Sequence, residues 1–70
     1  MTLHEAMREV LRAVPSGCAT TRQIADEIAR RATYRRRDGR FAAAQQVNAR
    51  ARRYGRFFRF VSPGLVELIE

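Results

Sequence analysis

The sequence predicts a small α+β domain in which three helices are followed by a C-terminal two-stranded β-hairpin, with room for a short third strand near Cys18. Three observations lead there. Apolar residues recur at three- and four-residue spacing in two N-terminal segments. A third segment is rich in alanine, glutamine and arginine, all good helix formers. Beyond Gly55 the period changes to two, as in a strand. The 70 residues allow one domain, 1–70, because so short a chain buries only just enough apolar surface to offset the entropy of ordering it. Apolar residues form 46% of it, enough for one core, and charged residues 30%, enough to solvate the exterior.

The first helix is expected over 3–14, where Leu3, Met7, Val10, Leu11 and Val14 form one stripe and Glu5, Arg8, Glu9 and Arg12 lie between them. Thr2 is its N-cap, and Pro15-Ser16-Gly17 ends it. Thr20 and Gln23 stand at the spacing of a capping box, so a second helix begins near Thr21, with Ile24 and Ile28 as its apolar stripe. Residues 34–40 have no apolar period and contain the turn dipeptide Asp38-Gly39, which makes them a loop. The third helix is expected over about 42–54. Ala44, Val47, Ala51 and Tyr54 share a narrow core face, Gln45, Gln46, Ala49, Arg52 and Arg53 the opposite one, and Asn48 and Arg50 the flanks. The hairpin follows, with Phe58 and Phe60 on the inner side of one strand, Val66 and Leu68 on that of the other, and Ser62-Pro63-Gly64 at the turn. Tyr34, Tyr54, Phe57, Phe58 and Phe60 read as core in preference to a stacking platform, and Phe41 and Phe57 are the aromatic residues expected to stay most exposed.

Charge divides unevenly along the chain. Residues 1–29 carry three arginines against four acids, whereas residues 30–59 carry eleven arginines against Asp38 alone, a net of +10. A field of one sign gathered in one half implies a polyanionic partner, since a merely solvated surface intersperses both signs. All fourteen basic residues are arginine, which suits bidentate phosphate and guanine contacts and is equally what a GC-rich genome would encode. One cysteine and one histidine preclude an intrachain disulfide and a multi-cysteine zinc site, and leave Cys18 a structural residue and His4 a surface or partly buried one. No pair of carboxylates sits near the basic loop and no glycine-rich phosphate cradle occurs, so the expectation is a binding module, not an enzyme, with no cofactor and no small-molecule substrate. Without a long apolar run or a signal-peptide core, no membrane association is expected, and the location is cytoplasmic, on the nucleoid in a bacterium.

Three helices and a hairpin, in this order, are the elements of a winged helix-turn-helix, whose third helix enters the major groove while the hairpin, or wing, flanks it. Arginine reads guanine, and glutamine or asparagine reads adenine, at base edges. The expected partner is double-stranded DNA. The candidate contacts are Gln45, Gln46, Asn48, Arg52 and Arg53 on the third helix, Arg35, Arg36, Arg37 and Arg40 in the basic loop, and Arg56 and Arg59 at the base of the wing.

Several segments resemble the HARE-type helix-turn-helix family: residues 3–11, Thr21-Arg22-Gln23-Ile24-Ala25 with Ile28, Tyr34 before the basic loop, Val47-Asn48-Ala49-Arg50 leading to Tyr54, and Phe58 through Gly64 to Leu68. The likeness spans essentially the whole chain through short apolar patterns. It implies a winged-helix fold and, in many members, DNA binding within restriction, regulatory or modified-base-sensing systems. Delta-subunit members of the family bind protein instead, which leaves open a protein–protein adaptor docking an acidic partner such as an RNA polymerase or nuclease subunit. Members are often one module of a longer chain, so a larger protein partner or a fused domain is compatible with the likeness. The Arg35-Arg36-Arg37 run exceeds what the fold requires and favours nucleic acid.

Overall fold

A computed structural model describes residues 1–69 and shows six elements: α1 (Leu3–Ala13), β1 (Cys18–Thr20), α2 (Thr21–Arg31), α3 (Ala44–Arg53), β2 (Phe58–Ser62) and β3 (Leu65–Leu68). Each of the first two helices starts where its sequence supplies partners for the free N–H groups of the first turn. The Thr2 hydroxyl accepts from the Glu5 amide at 3.2 Å while the Glu5 carboxylate accepts from the Thr2 amide at 2.7 Å. Thr20 and Gln23 repeat this reciprocal box at 3.0 and 2.9 Å. Helix α1 ends one residue before the expected boundary because Pro15 biases Val14 away from helical geometry, and Val14 is extended at φ −87°, ψ 123°. Helix α3 is also shorter than the expected 42–54. Ala42 is drawn into the core and Ala43 is already extended, and at the other end Tyr54 leaves the helix at φ −110°, ψ 58°.

The three helices meet over Leu3, Met7 and Leu11 of α1, Ile24 and Ile28 of α2, and Val47 and Ala51 of α3, all buried. Val47 and Ala51 are the only fully buried side chains that α3 contributes, so the helix packs through a thin stripe and its long side chains remain outside.

The expected hairpin is joined by β1 in a three-stranded antiparallel sheet of order β1-β3-β2. Ala19, Val66 and Phe60 are in register on the side facing the helices, while Cys18, Glu67 and Arg59 are in register on the other. The strands β2 and β3 turn through Pro63 and Gly64, with Ser62 opposite Leu65. Gly64 takes φ +76°, a value that suits glycine after a proline in a tight turn. A register shift between Phe60 and Ser62 leaves Val61 out of the ladder and exposed. The hairpin tip is tied back to the helices, since the Thr21 amide donates to the Gly64 carbonyl at 2.9 Å. Among the described residues no helix is long and apolar enough to cross a membrane.

Two stability predictions follow from the ends of α2. Ala32 closes the helix in the left-handed region at φ 54°, ψ 36°, where a side chain costs about 1–2 kcal/mol. Relief of that strain outweighs the added chain entropy of glycine, so Ala32→Gly is expected to raise the thermal midpoint by a few degrees; a lowered midpoint would show the strain to be absent. In the last two turns, Glu27 accepts from Arg30 and from Arg31, the latter at 3.1 Å, and these bonds lower its pKa from 4.5 to about 2. A carboxylate held below its unfolded value stabilises the fold above pH 4.5, and that contribution disappears as the pH falls towards 2. Glu27→Gln is therefore expected to unfold at lower temperature than the parent at pH 7, with the two midpoints converging near pH 2. A constant gap across that range would exclude the pair as its cause.

Candidate functional site

The basic loop between α2 and α3 is an ordered turn. Tyr34 packs against the core at one end and Ala42 is buried at the other, so the arginines between them are held on a short tether. The Arg36 amide donates to the Arg40 carbonyl at 2.8 Å, the Gly39 amide to the Arg36 carbonyl at 2.9 Å, and the Arg40 amide to Asp38 Oδ1 at 3.0 Å. Gly39, at φ +83°, lets the chain reverse. Asp38 also pairs with Arg36 at 3.4 Å, and so compensates one of the four loop arginines. Arg35 lies over the Phe41 ring at 4.6 Å and donates to the Gly39 carbonyl at 3.3 Å. Arg37 and Arg40 are exposed and make no ion pair or side-chain hydrogen bond among the described residues.

The solvent face of α3 has two halves of different character. In the N-terminal half Gln45 is exposed, but Gln46 is turned back along the helix, its Oε1 accepting from the Ala43 amide at 3.1 Å. Ala43 lacks a side-chain acceptor, so Gln46 supplies half of a capping box and satisfies an amide that would otherwise be free. Gln46, expected at a base edge, thus has its side-chain acceptor engaged in the cap. The C-terminal half carries Arg50, Arg52 and Arg53, whose charge also complements the negative end of the helix dipole. Arg52 is held by Asn48 Oδ1 at 3.0 Å and lies over the Phe60 ring at 4.9 Å, which joins α3 to β2. Arg53 and, just beyond the helix, Arg56 are exposed and without an ion pair or side-chain hydrogen bond among the described residues.

Two of the expected contributions from the hairpin are absent from this surface. Arg59 alternates with the inward Phe58 and Phe60, so it projects from the face of the sheet turned away from the helices and pairs there with Glu67, its cross-strand neighbour. The turn 62–64 holds no basic residue and is bonded back to α2. The structure thus leaves Arg35, Arg37 and Arg40 before α3, Gln45, Arg52 and Arg53 on it, and Arg56 after it as the outward set.

The sequence pattern did not reveal a ring cluster at the other end of α3. His4 stacks on Tyr54 with centroids 4.2 Å apart, and Phe57 lies nearly parallel to both at 6.2 Å. The Arg8 guanidinium lies over Phe57 at 4.2 Å. Phe57 is consequently half-buried against the core, contrary to its expected exposure, whereas Phe41 remains exposed. A histidine at the start of one helix and a tyrosine at the end of another share no sequence period. Only their packing brings them together. No protein-family model, curated protein or solved structure matches this chain.

Proposed function

We propose that this protein is a winged-helix module that binds double-stranded DNA, chiefly by contacts to phosphate from the two ends of α3. The observation that carries the proposal is the set of exposed arginines whose side chains have no ion pair or hydrogen bond among the described residues, Arg37 and Arg40 before the helix and Arg53 and Arg56 at and beyond its end. An exposed guanidinium with no carboxylate beside it is available to a phosphate oxygen, and each such contact releases a condensed counterion. Three helices and a three-stranded antiparallel sheet of order β1-β3-β2 are consistent with a winged-helix-like layout, which supports this reading.

The two-part face of α3 also bears on specificity. Direct reading of bases falls to Gln45, with Arg52 able to join it only by leaving Asn48 and Phe60. Gln46 serves as a cap, and Arg59 is neutralised on another face. The expected behaviour is strong binding with modest sequence preference, in which phosphate contacts position the module.

The test is fluorescence anisotropy with a random-sequence duplex, the matched single strand and duplex RNA over a range of salt. Four phosphate contacts predict a log–log salt slope of about −3.6 for the DNA duplex. Arg53→Ala combined with Arg56→Ala is expected to reduce its magnitude by about 2, while Arg59→Ala leaves it unchanged. A flat salt dependence, or no preference for the DNA duplex over an acidic polypeptide, would remove the proposal in favour of a protein adaptor.

A further inference from the structure

The cleft between the first turn of α1 and the end of α3 sets an aromatic cluster beside two of the arginines assigned to phosphate. It is lined by His4, Arg53, Tyr54, Gly55, Arg56 and Phe57 and has a volume of about 520 Å³. That volume lies within the range of about 300–1,000 Å³ usual for small-ligand sites. One side is aromatic: His4 is stacked on Tyr54 with centroids 4.2 Å apart, and Phe57 lies nearly parallel to both at 6.2 Å with the Arg8 guanidinium over it at 4.2 Å. The other contribution is cationic, from Arg53 and Arg56, which have no ion pair or side-chain hydrogen bond among the described residues.

Gly55 is an independent pointer. It is exposed, its φ lies outside the left-handed region, and a Cβ built on it would meet nothing within 4 Å. The fold would accept a side chain there, so the bare backbone is not a requirement of the turn. A residue without a side chain in a cleft wall lets another molecule approach the main chain closely.

We infer that this cleft holds one unpaired nucleotide, its base added to the His4–Tyr54 stack and its phosphate between Arg53 and Arg56. The ligand must be both planar and anionic. A free phosphate would have no use for the rings, and an acidic peptide would offer no flat face to them. Bases inside an intact duplex have their faces covered by their neighbours, so only a bulged, frayed or extruded nucleotide presents one. This inference rests on the duplex-binding proposal, to which it adds a preference for damaged or distorted sites, and it assigns His4, Tyr54 and Gly55 a role that the duplex contacts do not use.

The experiment compares a fully paired duplex with the same duplex carrying a single bulged 2-aminopurine, titrated with the parent protein and with His4→Ala and Gly55→Leu. The parent is expected to bind the bulged duplex about tenfold more tightly and to quench the 2-aminopurine, because stacking a base on aromatic rings contributes a factor of that order. Both variants are expected to keep the paired-duplex affinity and the circular dichroism of the parent while losing the preference and the quenching. Equal affinity for the two duplexes with unquenched 2-aminopurine overturns the nucleotide cleft and leaves duplex binding intact. Absence of paired-duplex binding overturns the duplex proposal instead. Titration with deoxyadenosine monophosphate, followed by tyrosine fluorescence, then decides the cleft separately: saturation that is lost in His4→Ala supports it, and a response matched by inorganic phosphate or a glutamate-rich peptide overturns it.

Discussion

The arrangement of this protein depends on the pairing of a three-residue strand with the last strand of the sheet. Cys18, Ala19 and Thr20 of β1 are aligned with Glu67, Val66 and Leu65 of β3, and two further bonds extend the closure at its ends, Leu68 N–H to the Gly17 carbonyl and Thr21 N–H to the Gly64 carbonyl, both 2.9 Å. A hairpin alone is marginal in water, and a third strand together with an apolar face against helices gives it independent stability. Because the pairing period is two, the register that buries Val66 sends Glu67 and Arg59 to the far side. The same register brings Phe60 under Arg52 and so seats the hairpin against α3.

The second constraint is electrostatic. A net charge of +7 on 70 residues repels itself, and the chain distributes the compensation selectively. Glu27 serves Arg30 and Arg31, Glu67 serves Arg59, and Asp38 serves Arg36. Each of these pairs is at or near the surface, where an ion pair contributes little stability and mainly shapes the local potential. Among the described residues, Arg37, Arg40, Arg53 and Arg56 have neither an ion pair nor a side-chain hydrogen bond, and they stand before α3 or at and beyond its end. The residual positive field is therefore a property of where the few carboxylates fall more than of how many arginines there are.

Small side chains in α3 connect these two constraints. Val47 and Ala51 bury the helix through a narrow stripe, and the partly buried Tyr54 extends this contact past the helix end, where it meets His4. A wider stripe of large residues would consume positions now occupied by Gln45, Asn48 and Arg52. The helix thus gives up packing area for polar surface, and aromatic residues outside it, Phe57, Phe58 and Phe60 among them, supply contact area that the alanines lack.

Much of this was legible in the residues themselves. Thr20 with Gln23 marked a helix start, Pro15-Ser16-Gly17 a stop, Asp38-Gly39 and Pro63-Gly64 two reversals, and the change of period after Gly55 a hairpin, because backbone preferences and capping are local and act within a few residues. Charge segregation was equally visible, as it requires only counting along the chain. Side-chain partners were not. Whether Gln46 faces outward or caps its own helix depends on where α3 begins, which the burial of Ala42 decides. Whether Arg59 belongs with the other arginines depends on strand register, and whether His4 is a surface residue or one wall of an aromatic cleft depends on how α1 crosses the end of α3. The sequence by itself determined the elements and the sign of the surface; tertiary structure alone decided which charges are neutralised and which rings meet, because those contacts join residues that no short-range period relates.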